Sequence, residues 1–246
     1  MAPTVAFVTG ANRGLGFGLV KNFVANPNNV VVAAVRDPAH TTAQELTRLS
    51  TGEGSSVIVV KYDAGVEQSA FDAVKEATYR GVDHIDYVVA NAGIAKVFPL
   101  VNEVKRADIV EHIEVNVLSV VSLYQATRSL LEKSTAKPVF AIMGSGGGAL
   151  GRQPPIPSAA YGASKSILPW YAVRISAEDE WLNTFVIDPG WVQTDMGNSA
   201  ARGWGLESAP DTVDKSTSGI IDLITKGTKE QYGGKVVLYN GEVQVY

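Results

Sequence analysis

Tyr161 and Lys165 stand four residues apart in the segment Tyr161-Gly162-Ala163-Ser164-Lys165. On a helix that spacing puts a phenol and an ammonium on one face. A tyrosine ordinarily titrates near ~10, too high for efficient proton exchange at neutral pH. A neighbouring cation favours the phenolate and lowers that value, so the phenol becomes a usable general acid toward a ketone or general base toward an alcohol. By itself the pair is also what the start of an ordinary amphipathic helix contains. Ser145 gives it context, because it follows the apolar run that ends at Met143, and Asn91-Ala92-Gly93 follows another such run in the same way. Open α/β sheets bind ligands at the carboxyl ends of their strands, and a hydroxyl there can hydrogen-bond a substrate carbonyl.

A second constellation lies near the N-terminus. The run Thr4–Thr9 leads into Gly10-Ala11-Asn12-Arg13-Gly14-Leu15-Gly16, after which a helical pattern begins. Glycines let the backbone turn sharply and approach a pyrophosphate, and the helix start offers free N–H groups and a positive dipole end. The spacing is G-x-x-x-G-x-G rather than the G-x-G-x-x-G fingerprint. A strand-to-helix turn without a ligand has the same local appearance, but its place after the first strand of an alternating chain favours the phosphate reading. An acidic residue about 20 positions past the glycines would bind a ribose 2′-hydroxyl and repel a 2′-phosphate. Here Arg36 holds that place and Asp37 comes one residue later. Arg13 and Arg36 converging on one phosphate point to NADP(H), while Asp37 keeps NAD open.

These residues need a scaffold that brings strand ends together. Short β-branched runs at Thr4–Thr9, Val30–Val35, Val57–Lys61, Ile85–Ala90, Pro138–Met143, Asn183–Asp188 and Lys235–Tyr239 alternate with helical patterns near 15–25, 41–50, 67–79, 102–133, 161–180 and 211–225. Alternation implies parallel strands joined by right-handed crossovers, and near-continuous apolar strands imply helices on both sheet faces. The expected fold is α/β: a single-domain, doubly wound Rossmann sheet of about seven strands spanning 1–246. Two segments read as loops. One is Gly144–Pro157; the other, Pro189–Pro210, is too long for an ordinary connection, and 191–210 is a candidate substrate lid. Asn240-Gly241 between two β-rich runs signals a hairpin. Pro169 falls inside the helix that carries Tyr161, where it removes the bond to the Lys165 carbonyl and tends to kink the helix.

Composition narrows the class. The 246 residues are 46% hydrophobic and 19% charged, with net charge −4. That supports one well-packed domain and argues against nucleic-acid and anionic-membrane partners. No cysteine is present, which excludes disulfides, thiolate metal sites and cysteine nucleophiles. His40, His84 and His112 lack metal-ligand spacing, so no metal is expected and they read as surface or helix-end residues. The start, from Met1, has neither a basic leader nor a long apolar segment, and no run approaches the ~18 apolar residues of a membrane span. A soluble, cytoplasmic enzyme is expected. Trp170, Tyr171 and Trp181 read as core or subunit interface. Trp191, Met196, Trp204 and Leu206 sit in the long segment and are candidates to cover a bulky or aromatic ketone.

Taken in order, Thr9-Gly10-Ala11-Asn12-Arg13-Gly14-Leu15-Gly16, Asp63-Ala64, Asn91-Ala92-Gly93, Asn116, Ser145, Tyr161-Gly162-Ala163-Ser164-Lys165 and Pro189-Gly190 resemble the short-chain dehydrogenase/reductase family over essentially the whole chain. Within it, Ile187 to Gly197 is similar to fungal ketoreductases of the norsolorinic acid type and to sniffer-like carbonyl reductases. The resemblance implies NADPH-dependent reduction of a hydrophobic, aromatic or polyketide ketone. It implies Tyr161 as proton donor, Lys165 lowering its pKa and holding the nicotinamide ribose, Ser145 orienting the carbonyl, and Asn116 supporting a proton relay through Lys165. It also implies Asp63 and Ala64 at the adenine, Asn91, Ala92 and Gly93 near the adenine-side ribose, Val192 at the nicotinamide amide and Thr194 at the pyrophosphate or amide. The serine-to-tyrosine separation exceeds the family's usual one, and Ser158 is the alternative hydroxyl. The resemblance further implies a homodimer or homotetramer, through helix faces bearing Val117, Leu118, Val121, Ile167, Leu168 and Val173. An NAD(P)-linked alcohol dehydrogenase and a non-catalytic NADP(H) sensor are the alternatives; a pure sensor needs none of Tyr161, Lys165, Ser145 and Asn116.

Overall fold

Valine- and isoleucine-rich runs form the strands, as their preference for a pleated, buried surface dictates. They are β1 (Thr4–Thr9), β2 (Asn29–Val35), β3 (Ser56–Lys61), β4 (Tyr87–Ala90), β5 (Val139–Met143), β6 (Asn183–Asp188), β7 (Val236–Leu238) and β8 (Val243–Gln244). The computed structural model describes residues 2–154 and 156–246. Met1, at the expected N-terminal start, and Pro155, in the expected Gly/Pro loop, lie outside the described residues. The strands form one sheet in the order β3-β2-β1-β4-β5-β6-β7-β8. All neighbours are parallel except β7 and β8. That last pair is the hairpin expected at Asn240-Gly241, with Gly241 at φ 95°. It adds an antiparallel eighth strand to the seven expected.

The helices are α1 (Gly14–Ala25), α2 (Thr41–Leu46), α3 (Glu67–Tyr79), α4 (Arg106–Ile113), α5 (Ser119–Leu131), α6 (Tyr161–Glu178), α7 (Asp195–Gly203), α8 (Val213–Lys226) and the short α9 (Lys229–Tyr232). Side chains of β1 alternate between two cores, as the two-residue period of a strand requires. Val5 and Phe7 join Leu123, Phe140 and Leu168 on one face, while Ala6 and Val8 join Leu19, Phe23, Phe185 and Ile220 on the other. Both faces are therefore covered, which accounts for the near-continuous apolar strands. From β1 the chain first winds outward to β2 and β3, then crosses to β4. The crevice at this switch opens beyond the carboxyl ends of β1 and β4.

Four expectations change in detail. The long pattern at 102–133 is interrupted by a π turn at Glu114–Leu118. Its cause is visible in Asn116, whose side chain is drawn to the Ile94 backbone (Oδ1 accepts its N–H at 2.8 Å, Nδ2 donates to its carbonyl at 3.0 Å). The extra residue of a π turn gives the chain that freedom. The pattern at 41–50 yields only Thr41–Leu46 as helix. The segment 189–210 contains α7, started by Thr194, whose Oγ1 accepts the Gly197 N–H at 3.1 Å. Two glycines within α7 hide it from propensity. Finally, α6 continues through Pro169 to Glu178.

Burial revises several surface assignments. His112 ends α4 but is fully buried, with Nδ1 donating to the Asp108 carbonyl at 2.7 Å and Nε2 accepting the Lys96 N–H at 3.2 Å. Of the residues expected in the core or at a subunit interface, Trp170 and Trp181 are exposed on the single chain, and Tyr171 packs partly buried against the core. Val117 and Leu168 face the interior, so of the expected interface residues Leu118 and Val173 remain exposed.

The glycine loop and α1 pack too closely for a side chain at Gly16, where an added Cβ would stand 2.1 Å from the Gly10 carbonyl oxygen. Gly16→Ala should destabilise the protein by about 1–3 kcal/mol, the range for overpacking. Gly203→Ala, which meets nothing within 4 Å, should be neutral or slightly stabilising. Urea midpoints of the two variants, measured side by side, check the contrast.

Candidate active site

A cleft of about 1720 Å³ runs across the carboxyl ends of the central strands, from Arg36 and Asp63 at one end to Tyr161, Arg152 and Trp204 at the other. At the first end Gly10 and Gly14 take φ of 62° and 51°, a region that side chains avoid. A Cβ on Gly10 would meet Ala92 Cα at 3.1 Å, and one on Gly14 would meet Thr194 Cγ2 at 3.1 Å. The loop is tied to β4 by Thr9, whose Oγ1 accepts the N–H groups of Asn91 at 3.0 Å and Ala92 at 2.9 Å. Asn91 completes the joint by donating Nδ2 to the Thr9 carbonyl at 2.8 Å. Its Nδ2 thus positions the loop, and Asn91 lines the cleft beside it. Arg13 stands at the N-cap of α1 without a side-chain cap bond, which leaves the first N–H groups of the helix for an anion.

Among the described residues no acidic side chain pairs with Arg13 or Arg36, and both line the cleft. Asp37 is turned into its own loop, accepting the Ala39 N–H at 2.9 Å. Asn12 donates to Thr42 Oγ1 at 2.6 Å, and His40 Nδ1 lies 2.9 Å from the same hydroxyl. His40 and Thr42 are lining residues that no local pattern distinguishes from an ordinary helix start. Asp63 accepts the Gly65 N–H at 3.0 Å, and Ala64, Ala92 and Gly93 line the adjoining wall. A close-packed glycine cradle, a free helix start and two unpaired guanidiniums together fit a nucleotide that carries an extra phosphate.

The other end is built on β5 and α6. Ser145 follows β5 and caps the short 3₁₀ turn Gly146–Gly148, accepting the Gly147 N–H at 3.1 Å. Its hydroxyl stands beside the half-buried Tyr161 phenol and favours the phenolate. Ser158 instead accepts the Gly162 N–H at 3.0 Å at the start of α6, so Ser145 is the hydroxyl beside the tyrosine. Lys165 is 6% exposed and donates Nζ to the Met143 carbonyl at 2.7 Å, with Nζ 5.9 Å from the Tyr161 ring centre. Burial lowers this ammonium from 10.5 to about 8. Burial also raises the Tyr161 phenol above 10; Ser145 opposes that rise and Asp188 adds to it. Desolvation thus dominates the phenol, and the side chain that lowers it is Ser145 rather than the expected Lys165, whose ammonium is engaged with the Met143 carbonyl.

Asn116 does not reach the cleft. It is 1% exposed behind Gly93 and spends its remaining bond on Ser164 Oγ at 2.9 Å. Its side chain holds the loop after β4 against α6. On the substrate side Trp191, Met196 and Trp204 line the cleft, whereas Leu206 is exposed and lies outside it. Phe98, unmarked in the sequence, completes an aromatic wall: its ring meets Tyr161 edge-on at 6.3 Å and Trp204 at 5.4 Å, and Trp204 meets Trp191 at 5.3 Å. Trp191 Nε1 donates to the Gly197 carbonyl at 3.0 Å, which fixes the wall to α7. Pro189, Gly190, Val192 and Thr194 line the cleft between the two ends, and Leu15 lies beside the glycine loop. The Val192 carbonyl is taken by the Thr194 N–H at 2.7 Å. Among the described residues there is no cluster of metal-ligating side chains, and no helix is long and apolar enough to cross a membrane.

Comparison with known proteins places this geometry among relatives. The family model described as short chain dehydrogenase matches residues 4–203. The chain is 40% identical over 241 residues to a norsolorinic acid ketoreductase of Dothistroma septosporum, covering 96% of this chain and 90% of that one. It is 37% identical over 246 residues to the norsolorinic acid ketoreductase of Aspergillus parasiticus, covering 98% and 90%. The fold superposes on an NADPH-bound carbonyl reductase from chicken fatty liver with a TM-score of 0.87 at 25% identity, over 100% of both chains.

The buried ammonium makes stability depend on pH. Lys165 titrates at about 8 in the fold against 10.5 when free, so between these values the unfolded chain binds more protons. Its unfavourable contribution is full below about pH 8 and is relieved as pH rises toward about 10.5. Wild type should gain urea resistance between about pH 7.5 and about pH 9.5 relative to Lys165→Met. Parallel changes in the two proteins would refute this.

Proposed function

This chain belongs to the short-chain dehydrogenase family, and from that premise we propose that it uses NADPH to reduce the ketone of a hydrophobic, polyketide-type aromatic substrate to a secondary alcohol. The observation that carries the reading is the convergence, in one cleft, of Tyr161, Ser145 and Lys165 with the glycine loop and its two unpaired arginines. Gly10, Asn12, Arg13, Gly14, Leu15 and Gly16 would hold the pyrophosphate and, with Arg36, the 2′-phosphate. Asp63, Ala64, Asn91, Ala92 and Gly93 would flank the adenosine, Lys165 the nicotinamide ribose, and Pro189, Gly190, Val192 and Thr194 the nicotinamide side. When bound, NADPH supplies the hydride to the carbonyl carbon.

The protein's own part is orientation and a proton. Ser145 donates a hydrogen bond to the carbonyl oxygen, which polarises it and sets it beside the phenol. Tyr161 O–H then passes its proton to that oxygen as negative charge develops there. Lys165 places a cation next to the phenolate left behind. The phenol's raised affinity for its proton, caused by burial, keeps it protonated at neutral pH, the form that a proton donor to a ketone needs. The wall of Phe98, Trp204 and Trp191 offers flat apolar surface for an aromatic ketone, in keeping with the relatives' names. The segment 191–210, with α7 and both tryptophans, serves as the substrate lid. The same reading makes the enzyme a homodimer or homotetramer, through the exposed Leu118, Trp170 and Val173 of the helix faces.

Tyr161→Phe keeps the ring and its packing but removes the transferred proton. Turnover of NADPH with an aromatic ketone should fall by about 10²-fold or more, while fluorescence titration shows NADPH binding retained. Near-normal turnover by this variant would remove the mechanism. Arg36→Asp should shift the NADPH/NADH preference toward NADH by about tenfold or more, the scale of a lost charge-assisted hydrogen bond plus repulsion. An unchanged ratio of kcat/KM values would free Arg36 from that role.

A further inference from the structure

Beneath the catalytic turn lies an ion pair that the reaction as described does not use. Asp188 ends β6 with its side chain 6% exposed, and its Oδ2 accepts Arg152 Nη2 at 2.8 Å. Its other oxygen accepts the Gly190 N–H at 3.1 Å. Arg152 comes from the loop between Ser145 and Tyr161, and that loop is anchored where Gly151 N–H donates to the Tyr246 carbonyl at 2.7 Å. Gly146, in the turn that Ser145 caps, sits directly on the pair. A Cβ there would stand 2.8 Å from Asp188 Oδ2 and 3.2 Å from both terminal guanidinium nitrogens. The pair thus bridges the loop that carries Ser145 to the strand end that leads into Pro189-Gly190.

We propose that Arg152 is a positioning residue of the reductase: it clamps the serine turn to the end of β6 and neutralises the Asp188 carboxylate beside Tyr161. The inference rests on Tyr161 as proton donor. The polar and charged groups about the phenol are Ser145 from the turn after β5, Lys165 from its own helix, Asp188 from β6 and Arg152 from the loop. Lys96 and Glu111, paired with each other, stand at the cleft rim, and Glu114 lines the wall. Of these, Asp188 is the anion that acts on Tyr161, and it raises the phenol's proton affinity. Without Arg152 that carboxylate would be buried and unpaired, a costly arrangement that also opposes formation of the phenolate. Reduction needs the protonated phenol, so activity falls as pH rises through its titration, and stronger proton affinity moves that fall to higher pH.

The test is kcat and kcat/KM from about pH 6 to about pH 12, with NADPH and an aromatic ketone free of ionisable groups. Arg152→Leu should lower kcat about tenfold or more and move the alkaline limb upward by about one unit. Arg152→Lys should keep the wild-type limb. Asp188→Asn should move the limb downward, because an unpaired guanidinium then faces the phenol. The Arg152→Leu/Asp188→Asn double variant should return the limb near wild type. A limb that stays in place in Arg152→Leu overturns the inference, and so does a double variant that keeps the single variant's shift. If Arg152→Leu does not fold, the direction of the Asp188→Asn shift decides alone, and no downward movement counts against the proposal. Failure of the underlying reading looks different, since Tyr161→Phe would then be active; an inactive Tyr161→Phe with unmoved limbs rejects only the role of Arg152.

Discussion

A lysine ammonium with 6% exposure is costly to bury, and much of the site is organised around it. One carbonyl, that of Met143 at the end of β5, accepts its hydrogen bond. The strand end is therefore bound to the helix that bears the tyrosine. Gly148 has no room for a side chain, because a Cβ would come within 2.7 Å of Lys165 Cβ. The turn carrying Ser145 can settle onto α6 only for that reason. Gly93 leaves space on the opposite side, where Asn116 holds the neighbouring loop. Burial of the cation thus fixes serine, tyrosine and lysine with respect to one another, and it leaves an ammonium that yields its proton unusually easily.

The sheet explains why these parts meet. Parallel strands end on one side, so every loop that follows a strand opens onto the same edge. The glycine loop, Asn91-Ala92-Gly93, Ser145 and Pro189-Gly190 follow β1, β4, β5 and β6, which are consecutive in space although far apart in sequence. Polar side chains then join the loops across strands. Asn91 fastens the loop after β4 to that after β1, and Asp188 with Arg152 does the same for β6 and β5. Charge is divided along the cleft accordingly. Arginines at the glycine-loop end have no acidic partners among the described residues, whereas the arginine at the tyrosine end is paired with a carboxylate.

Much of this was legible in the residues alone. Strands whose valines and isoleucines must be covered on both faces, helices with apolar periodicity and glycines at tight turns all write their role into local pattern, so β1, α3 and β6 match their expected limits. The tyrosine–lysine spacing and the glycine loop are likewise local, since each uses one helix or one turn. Tertiary structure alone decided what depends on distant partners. The π turn exists because Asn116 bonds Ile94, and α7 stands where two glycines argue against a helix. Phe98 belongs to the aromatic wall only because Trp204 folds across to meet it, and Leu206, its neighbour in sequence, falls outside. Arg152 and Asp188 are 36 residues apart and share no motif. Periodicity and backbone chemistry act within a few residues, whereas the proton affinities of Tyr161 and Lys165 arise from desolvation and from charges brought in by other strands, which no local pattern encodes.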